Sequence, residues 1–156
     1  MKPKVKKGLP AKYIDARMDF NVIDMVEKPW GREIHFAVED VYAGKILEVR
    51  KGKRLSLQYH KRKTETMYLL EGRIRLTVDD ETRVVGAGKS VTLKPGVKHR
   101  VEALEGTRII EVSTSHLDDV VRLEDDHGRE EKKPHPLHRR VHMHLKGVFE
   151  RFVRKM

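Results

Sequence analysis

Short runs of alternating polar and apolar residues follow one another along the middle of the chain. The runs rich in Val, Ile and Leu between residues 33 and 124 are EIHFAV, KILEVR, RLSLQYH, TMYLL, RIRLTV, RVV, SVTLK, HRVEAL, TRIIEVS and VVRLE. Segments such as EG, DDET, GAG and PGV separate them, and their Gly, Pro and Asp residues favour tight turns. These closely spaced strands predict an all-β sandwich or barrel.

The two ends of the chain follow different patterns. Residues 1–26 are charged and irregular, with one short helix or strand expected around residues 14–26. After residue 129 the segment EEKKPHP is typical of a linker. Apolar residues then recur at helical spacing, at Val141, Leu145, Val148, Phe149, Phe152 and Val153. The sequence therefore predicts a basic extension over 1–26, a barrel over 27–129, and a linker with an amphipathic helix, packed on protein, over 130–156.

The positive charge of the chain lies in its two ends. The formal net charge is +10, but residues 1–12 contribute five lysines, and residues 129–156 contribute nine basic residues against three acidic ones. The residues between them hold 20 basic and 21 acidic side chains. A balanced centre without a recognition motif argues against specific nucleic-acid binding. The tail histidines His135, His138, His142 and His144 are interpreted as part of a solvated basic segment rather than as a metal site.

The composition also limits the cellular compartment and the kinds of metal site and cross-link that are expected. The chain has no cysteine, which excludes disulfides and thiolate metal sites. No apolar run approaches the length of a membrane span, and no apolar stretch follows the basic N-terminus as it would in a secretory signal. A soluble cytoplasmic protein is expected.

One segment, GKRLSLQYHKRKTETMYLLEG, carries the candidate chemistry. Gln58 and His60 are two residues apart on a predicted strand, so their side chains project from the same face. A turn follows, and Glu65 begins the next strand, so a hairpin can bring its carboxylate alongside. His99 begins a later strand after a Pro-Gly turn. Converging nitrogen and oxygen donors suit one divalent ion of Mn, Fe, Co, Ni or Zn, with positions left open for substrate.

The spacing of these residues resembles the cupin superfamily. The first cupin motif, G-x5-H-x-H-x4-E-x6-G, is matched by Gly52, Gln58, His60, Glu65 and Gly72, with Gln in place of the first His. The second motif, G-x5-P-x-G-x2-H-x3-N, is matched at Gly88, Gly96 and His99 and departs at Lys94 and Ala103. The resemblance implies a cupin-type double-stranded β-helix (jelly-roll) barrel, a metal held by Gln58, His60, Glu65 and His99, and a homodimer. The apolar face of Leu55, Leu57 and Tyr59 would then pack against another β layer or a partner subunit.

Gln58, in place of the first histidine of the motif, narrows the resemblance to one subfamily of cupins. The strand RLSLQYH is similar to that of the C-terminal isomerase domain of bifunctional mannose-6-phosphate isomerase/mannose-1-phosphate guanylyltransferases. EKPWG at 27–31 and VVRLEDDHGR at 120–129 resemble the opening and closing motifs of that domain, with His127 where Tyr is usual. The resemblance covers residues 27–129 and no part of a guanylyltransferase domain. It implies a phosphorylated sugar as substrate and conversion of mannose 6-phosphate to fructose 6-phosphate through an enediol.

An aldose–ketose isomerase also needs a base and a clamp for the phosphate. On a regular strand Arg54 shares the face of Gln58 and His60, which makes it a candidate clamp; Arg100 is a weaker candidate because alternation turns it away from His99. Glu111, a polar residue within the apolar strand TRIIEVS, is the candidate base, with Glu102 and His116 as alternatives. A second interpretation is a non-catalytic, metal-dependent cupin that binds a sugar or a small organic acid.

Overall fold

A computed structural model describes residues 23–129, and the all-β prediction is confirmed. Each of the ten predicted strands is present, and an eleventh begins at Asp24, before the predicted start of the barrel. The strands are β1 (Asp24–Lys28), β2 (Gly31–Val38), β3 (Ala43–Val49), β4 (Leu57–His60), β5 (Glu65–Glu71), β6 (Arg73–Val78), β7 (Glu81–Gly86), β8 (Ser90–Leu93), β9 (His99–Ala103), β10 (Thr107–Ser113) and β11 (Val120–Glu124). The predicted C-terminal helix and the histidines of the tail lie outside the described residues.

Two antiparallel sheets form the barrel. One has the strand order β1-β2-β3-β10-β5-β8 and the other β11-β4-β9-β6-β7. Both contribute their inner faces to one core, which includes Leu47, Leu69 and Ile109 from the first sheet and Leu76 and Val101 from the second. Across residues 23–129 no helix has the length and apolar character needed to cross a membrane.

The interior is apolar toward one end of the strands and polar toward the other. On β10, the inner face runs from Ile109 to Glu111 and Ser113, and on β9 it runs from Ala103 and Val101 to His99. The polar residues on the inner faces of these strands are buried, and buried polar groups need hydrogen-bonding or charged partners. The polar half of the interior is therefore the part of the fold where chemistry can occur.

The connection between β4 and β5 differs from the predicted hairpin. These strands lie in different sheets, so the segment between His60 and Glu65 passes from one sheet to the other rather than folding back along one sheet. The motif glycines that flank this unit, Gly52 and Gly72, have φ of +75° and +85°, a conformation that a residue with a Cβ rarely adopts. Glu65 thus faces His60 from the opposite sheet.

Strand alternation is interrupted just before β4. Arg54 forms an isolated bridge with Glu102, whereas Gln58 stands opposite His99, so the register along β9 slips by one residue between them. The predicted apolar face is therefore split: Leu55 packs against the core. The irregular stretch between Arg54 and Gln58 also reverses which side chains point inward. Arg54 therefore does not share the inner face of Gln58.

Candidate metal centre

Three buried side chains converge in the polar half of the interior. His60 ends β4, Glu65 begins β5 and His99 begins β9, and one potential ligand atom from each lies within 4.8 Å of the others. Oε1 of Glu65 is 3.3 Å from Nε2 of His60 and 3.0 Å from Nε2 of His99. The two imidazole rings are 5.5 Å apart between centroids. The structure thus brings together three of the four predicted metal ligands.

The imidazoles are oriented with one nitrogen toward the backbone and the other toward Glu65. Nδ1 of His60 lies 2.7 Å from the carbonyl oxygen of Asp119, and Nδ1 of His99 lies 3.0 Å from that of Val97. A carbonyl oxygen only accepts, so each Nδ1 carries the hydrogen and, in the neutral ring, Nε2 presents a lone pair. Two lone pairs and a carboxylate oxygen then face one another, an arrangement that a divalent cation would satisfy.

Gln58, the fourth predicted ligand, lies beside this cluster. It stands directly opposite His99 in the β4–β9 pair, and its Oε1 accepts a hydrogen bond of 2.7 Å from the hydroxyl of Ser56. Paired residues of antiparallel strands project to the same face. Gln58 therefore shares the inner face with the three clustered residues, and its role as a ligand stays a prediction.

A buried lysine links the cluster to the predicted base. Nζ of Lys63 lies 2.5 Å from Oε2 of Glu65 and 3.1 Å from Oε1 of Glu111. Only 5% of Lys63 and 7% of Glu111 are exposed. Glu111 therefore faces the interior, and it forms an ion pair with Lys63.

Charge pairing fixes the ionised forms of these groups. Burial by itself raises the pKa of Glu65, but while no metal is bound, hydrogen bonds donated by the imidazoles of His60 and His99 and the ammonium of Lys63 outweigh it, so the pKa lies well below its usual value. Burial likewise lowers the pKa of Lys63, but the carboxylates of Glu111 and Glu65 more than compensate and raise it. At neutral pH the interior holds a carboxylate and an ammonium, both charged.

The other predicted residues lie away from this cluster. Arg54 forms a bidentate ion pair with Asp126, with distances of 2.6 and 2.7 Å, and Arg100 donates to Glu124. Glu102 accepts from Arg75, and His116 contacts the hydroxyl of Thr114. A role of Arg54 or Arg100 in substrate binding stays a prediction, which Arg54→Ala and Arg100→Ala would test by comparing phosphorylated with neutral sugars.

Sequence reasoning missed Lys63 and the inward-facing Arg122. Lys63 belongs to the charged turn KRKT, and such turns are ordinarily solvated. One signal was available: Lys63 is two residues before Glu65, so an extended chain gives both side chains the same face. Arg122 lies in the closing motif and stands opposite Gln58 in the β11–β4 pair, which places it on the inner face.

Known proteins match both the sequence and the fold. The chain is 32% identical over 130 residues to mannose-1-phosphate guanylyltransferase ManC of Salmonella typhimurium, covering 80% of this chain and 27% of ManC. It is 36% identical over 110 residues to alginate biosynthesis protein AlgA of Pseudomonas aeruginosa, covering 67% of this chain and 23% of AlgA. The chain thus spans about a quarter of the length of these curated relatives.

Solved structures establish the cupin fold. KdgF from Halomonas sp. superposes with a TM-score of 0.56 at 17% identity, covering 61% of this chain and 88% of KdgF. An RmlC-like cupin from Shewanella frigidimarina superposes with a TM-score of 0.55 at 19% identity, covering 60% and 84%. At this identity the likeness concerns the fold alone. The family model described as mannose-6-phosphate isomerase C-terminal matches residues 15–125, which include the whole His60–Glu65–His99 cluster, and the chain therefore belongs to that family.

Proposed function

We propose that the chain is a metal-dependent aldose–ketose isomerase that interconverts mannose 6-phosphate and fructose 6-phosphate. The observation that carries this proposal is the buried Lys63–Glu111 pair directly beside the His60–Glu65–His99 cluster. A cupin that only binds a sugar or an acid through its metal needs no buried ion pair beside that metal. An isomerase, in contrast, needs groups next to the metal that move protons. The description of the matching family model supports the same reaction.

His60, Glu65 and His99 would hold the metal, with Gln58 as a further oxygen donor. A divalent ion there would supply positive charge to stabilise the oxygen of the substrate as it becomes negative. The backbone carbonyls of Asp119 and Val97 keep the two imidazoles turned with Nε2 toward that position. Ser56 in turn fixes the amide of Gln58.

Glu111 is the proposed base. Its carboxylate would take the proton from C2 of the aldose and return it to C1 of the enediol, while the hydroxyl proton passes from O2 to O1, which balances the isomerisation. Lys63 holds Glu111 through Oε1, so the second oxygen of that carboxylate is the one that would carry the proton. The ammonium of Lys63 also places a fixed positive charge beside the developing enediolate.

The names of the curated relatives refer to a different activity. ManC is a mannose-1-phosphate guanylyltransferase by name, and the matched part is only about a quarter of it. Within residues 23–129, His60, Glu65 and His99 form a buried cluster of potential metal ligands inside the barrel. The isomerase proposal therefore rests on this cluster and its neighbours, and not on the activity after which those relatives are named.

The test combines elemental analysis of the purified full chain with a coupled assay for fructose 6-phosphate formed from mannose 6-phosphate. We expect about one divalent ion per chain and turnover, with both lost in His60→Ala. Glu111→Gln should retain the metal and lose turnover, which separates the base from the ligands. A metal-loaded wild type without turnover would refute the isomerase and favour the non-catalytic binding cupin.

A further inference from the structure

A second buried polar group lies on the inner face of the barrel, on β1, β2 and β3. Oε1 of Glu33 is 3.6 Å from Nζ of Lys28, and its Oε2 is 3.6 Å from Nζ of Lys45 and 2.8 Å from Nε2 of His35. The side chains of Lys28 and Lys45 are only 19% and 12% exposed. Lysines are rarely this buried in proteins, so their place inside the barrel calls for a reason beyond the surface charge of the chain.

Strand register connects this group to the metal centre. Lys45 on β3 stands directly opposite Glu111 on β10, so both project to the same face. Oppositely charged side chains then follow one another across the sheet, from Glu65 through Lys63 and Glu111 to Lys45, Glu33 and Lys28. On the opposing sheet, Arg122 stands opposite Gln58. The two lysines and Arg122 therefore line the same interior as the proposed catalytic groups.

Cations outnumber the carboxylate that they share. Glu33 contacts both lysines, and the one other carboxylate that the strand register brings to Lys45, that of Glu111, is already paired with Lys63. Burial lowers the pKa of Lys28 and Glu33 raises it, but the neighbouring charges of Lys45, Arg129 and Arg122 lower it further. Like charges crowded among largely buried side chains favour a bound anion.

We infer that Lys28, Lys45 and Arg122 form the phosphate subsite of the barrel, with Glu33 holding the two lysines in place. A phosphate offers several acceptor oxygens, which suits separate donors arriving from β1, β3 and β11. The inference rests on the proposed function only for the sugar to which the phosphate is attached. It assigns the clamp to residues that the sequence did not single out, in place of Arg54 and Arg100.

The spacing between strands suits a sugar phosphate. Lys45 is on β3 and Glu65 on β5, with β10 between them and Glu65 two residues farther along its strand. Two strand spacings of roughly 5 Å and a rise of roughly 7 Å along the strand therefore separate the backbone of the lysine from that of the proposed metal ligand. That span is comparable to the length of a hexose phosphate. A substrate with its reacting carbons beside Glu111 can therefore direct its phosphate toward Lys45 and Lys28.

The test measures binding of mannose 6-phosphate, mannose and inorganic phosphate by isothermal titration to the metal-loaded full chain. The double variant Lys28→Gln/Lys45→Gln should weaken binding of mannose 6-phosphate and phosphate about tenfold or more, since each lysine would donate a charge-assisted hydrogen bond to the phosphate. Binding of neutral mannose and the metal content should remain as in the wild type. The matched control Lys51→Gln/Lys53→Gln removes the same charge from an exposed loop and should leave all affinities unchanged.

Glu33→Gln should change the affinity for phosphate in the opposite direction. Removing the carboxylate that competes for the lysines should tighten phosphate binding, whereas a group with only a structural role would show lower stability and unchanged affinity. This variant also keeps the test decisive if the double lysine variant does not fold. Arg122→Gln should weaken phosphate binding with mannose binding retained.

The outcomes separate this inference from the proposed function. Turnover of mannose 6-phosphate with unchanged affinity in Lys28→Gln/Lys45→Gln and in Glu33→Gln would overturn the subsite and leave the isomerase standing. Lysine-dependent phosphate binding without turnover would support the subsite and refute the isomerase. Phosphate binding to chelator-treated protein, lost in the lysine variant but not in its control, would show that the subsite acts independently of the metal.

Discussion

Nδ1 of His60 lies 2.7 Å from the backbone carbonyl oxygen of Asp119, and the carboxylate of Asp119 simultaneously holds the turn that follows His60. That carboxylate accepts hydrogen bonds from the backbone nitrogens of Lys61, Arg62 and Lys63, at 3.2, 2.5 and 2.9 Å. Burial raises the pKa of Asp119, but these backbone donors outweigh it and lower the pKa. One residue before β11 thus orients a proposed metal ligand and the segment that carries Lys63 inward.

Asp119→Ala should therefore weaken the metal site without removing a ligand. Loss of the carboxylate leaves three backbone donors without their acceptor, and we expect a loss of about 1–3 kcal/mol in the free energy of unfolding. Metal affinity should fall about tenfold or more, as it does when a group supporting a ligand is removed. The neighbouring exposed residue provides the control, because Asp118→Ala should alter neither quantity. Equal effects of the two substitutions, in chemical denaturation and metal titration, would contradict this role of Asp119.

Replacing the clustered histidines should abolish the metal site itself. His60→Ala and His99→Ala each remove one of the two nitrogen donors in the three-residue cluster, so elemental analysis of either variant should show strongly reduced metal. His116→Ala removes a histidine outside the cluster and should retain the wild-type content. Retention of metal in both cluster variants would eliminate the site.

Gln58→His tests the fourth predicted ligand. The substitution restores the residue that the general cupin motif has at this position, on the same inner face and opposite His99. It changes an oxygen donor to a nitrogen donor without changing the number of ligands, so metal stoichiometry should be retained while turnover and metal preference change. Loss of metal in Gln58→His would show that the pocket cannot accommodate an imidazole there. Identical metal preference and turnover would remove Gln58 from the ligand set.

The sequence predicted the strands well because alternation and turn residues are local properties. It also predicted that His60, Glu65 and His99 converge, because the spacing of the motif places each of them at the end of a strand. It did not predict that β4 and β5 lie in opposite sheets, since a short turn between two strands ordinarily makes a hairpin. The burial of Lys63 depends on that crossing.

Arg54 shows where alternation fails as a guide. Two-residue periodicity assigns Arg54 to the face of Gln58, but a single irregularity before β4 reverses the assignment for everything that precedes it. Such an irregularity leaves no mark in a sequence without a glycine or proline at that point. Lys28, Lys45 and Arg122 were missed for a different reason, because their proximity depends on the pairing of strands distant in the chain.

Lys63 is expected to contribute strongly to stability in addition to its proposed chemical role. Lys63→Met leaves Glu65 and Glu111 buried without their shared cation, and removing one partner of a buried pair costs about 3–5 kcal/mol. The measurement is the free energy of unfolding in urea, with exposed Lys53→Met as a control that should change little. Adding Glu111→Gln to Lys63→Met should recover part of the loss, because one of the two uncompensated charges is removed. Additive losses in the double variant would contradict the ion pair.

The pair formed by Asp125 and Arg129 should make stability depend on pH at the acidic end. Nε and Nη2 of Arg129 donate to the two oxygens of Asp125 at 2.7 and 2.6 Å, and the side chain of Asp125 is 1% exposed. The hydrogen bonds from the Arg129 side chain lower the pKa of Asp125 from 3.8 to about 2, although burial opposes them. A folded-state pKa below the unfolded value means that the ionised form stabilises the folded chain. The contribution is therefore complete above the unfolded pKa and is lost as the pH falls toward the folded one.

Asp125→Asn isolates this contribution, because other carboxylates titrate alike in both proteins and cancel in the difference. At neutral pH the wild type should be more stable by roughly 2 kcal/mol, the free energy that corresponds to the lowered pKa. The difference in the free energy of unfolding should decline as the pH falls from about 4 toward about 2. Asp126→Asn is the control: that exposed carboxylate pairs with Arg54 across the surface, and exposed pairs contribute little. A difference that stays constant from neutral to acidic pH would show that the charge of Asp125 does not stabilise the folded chain.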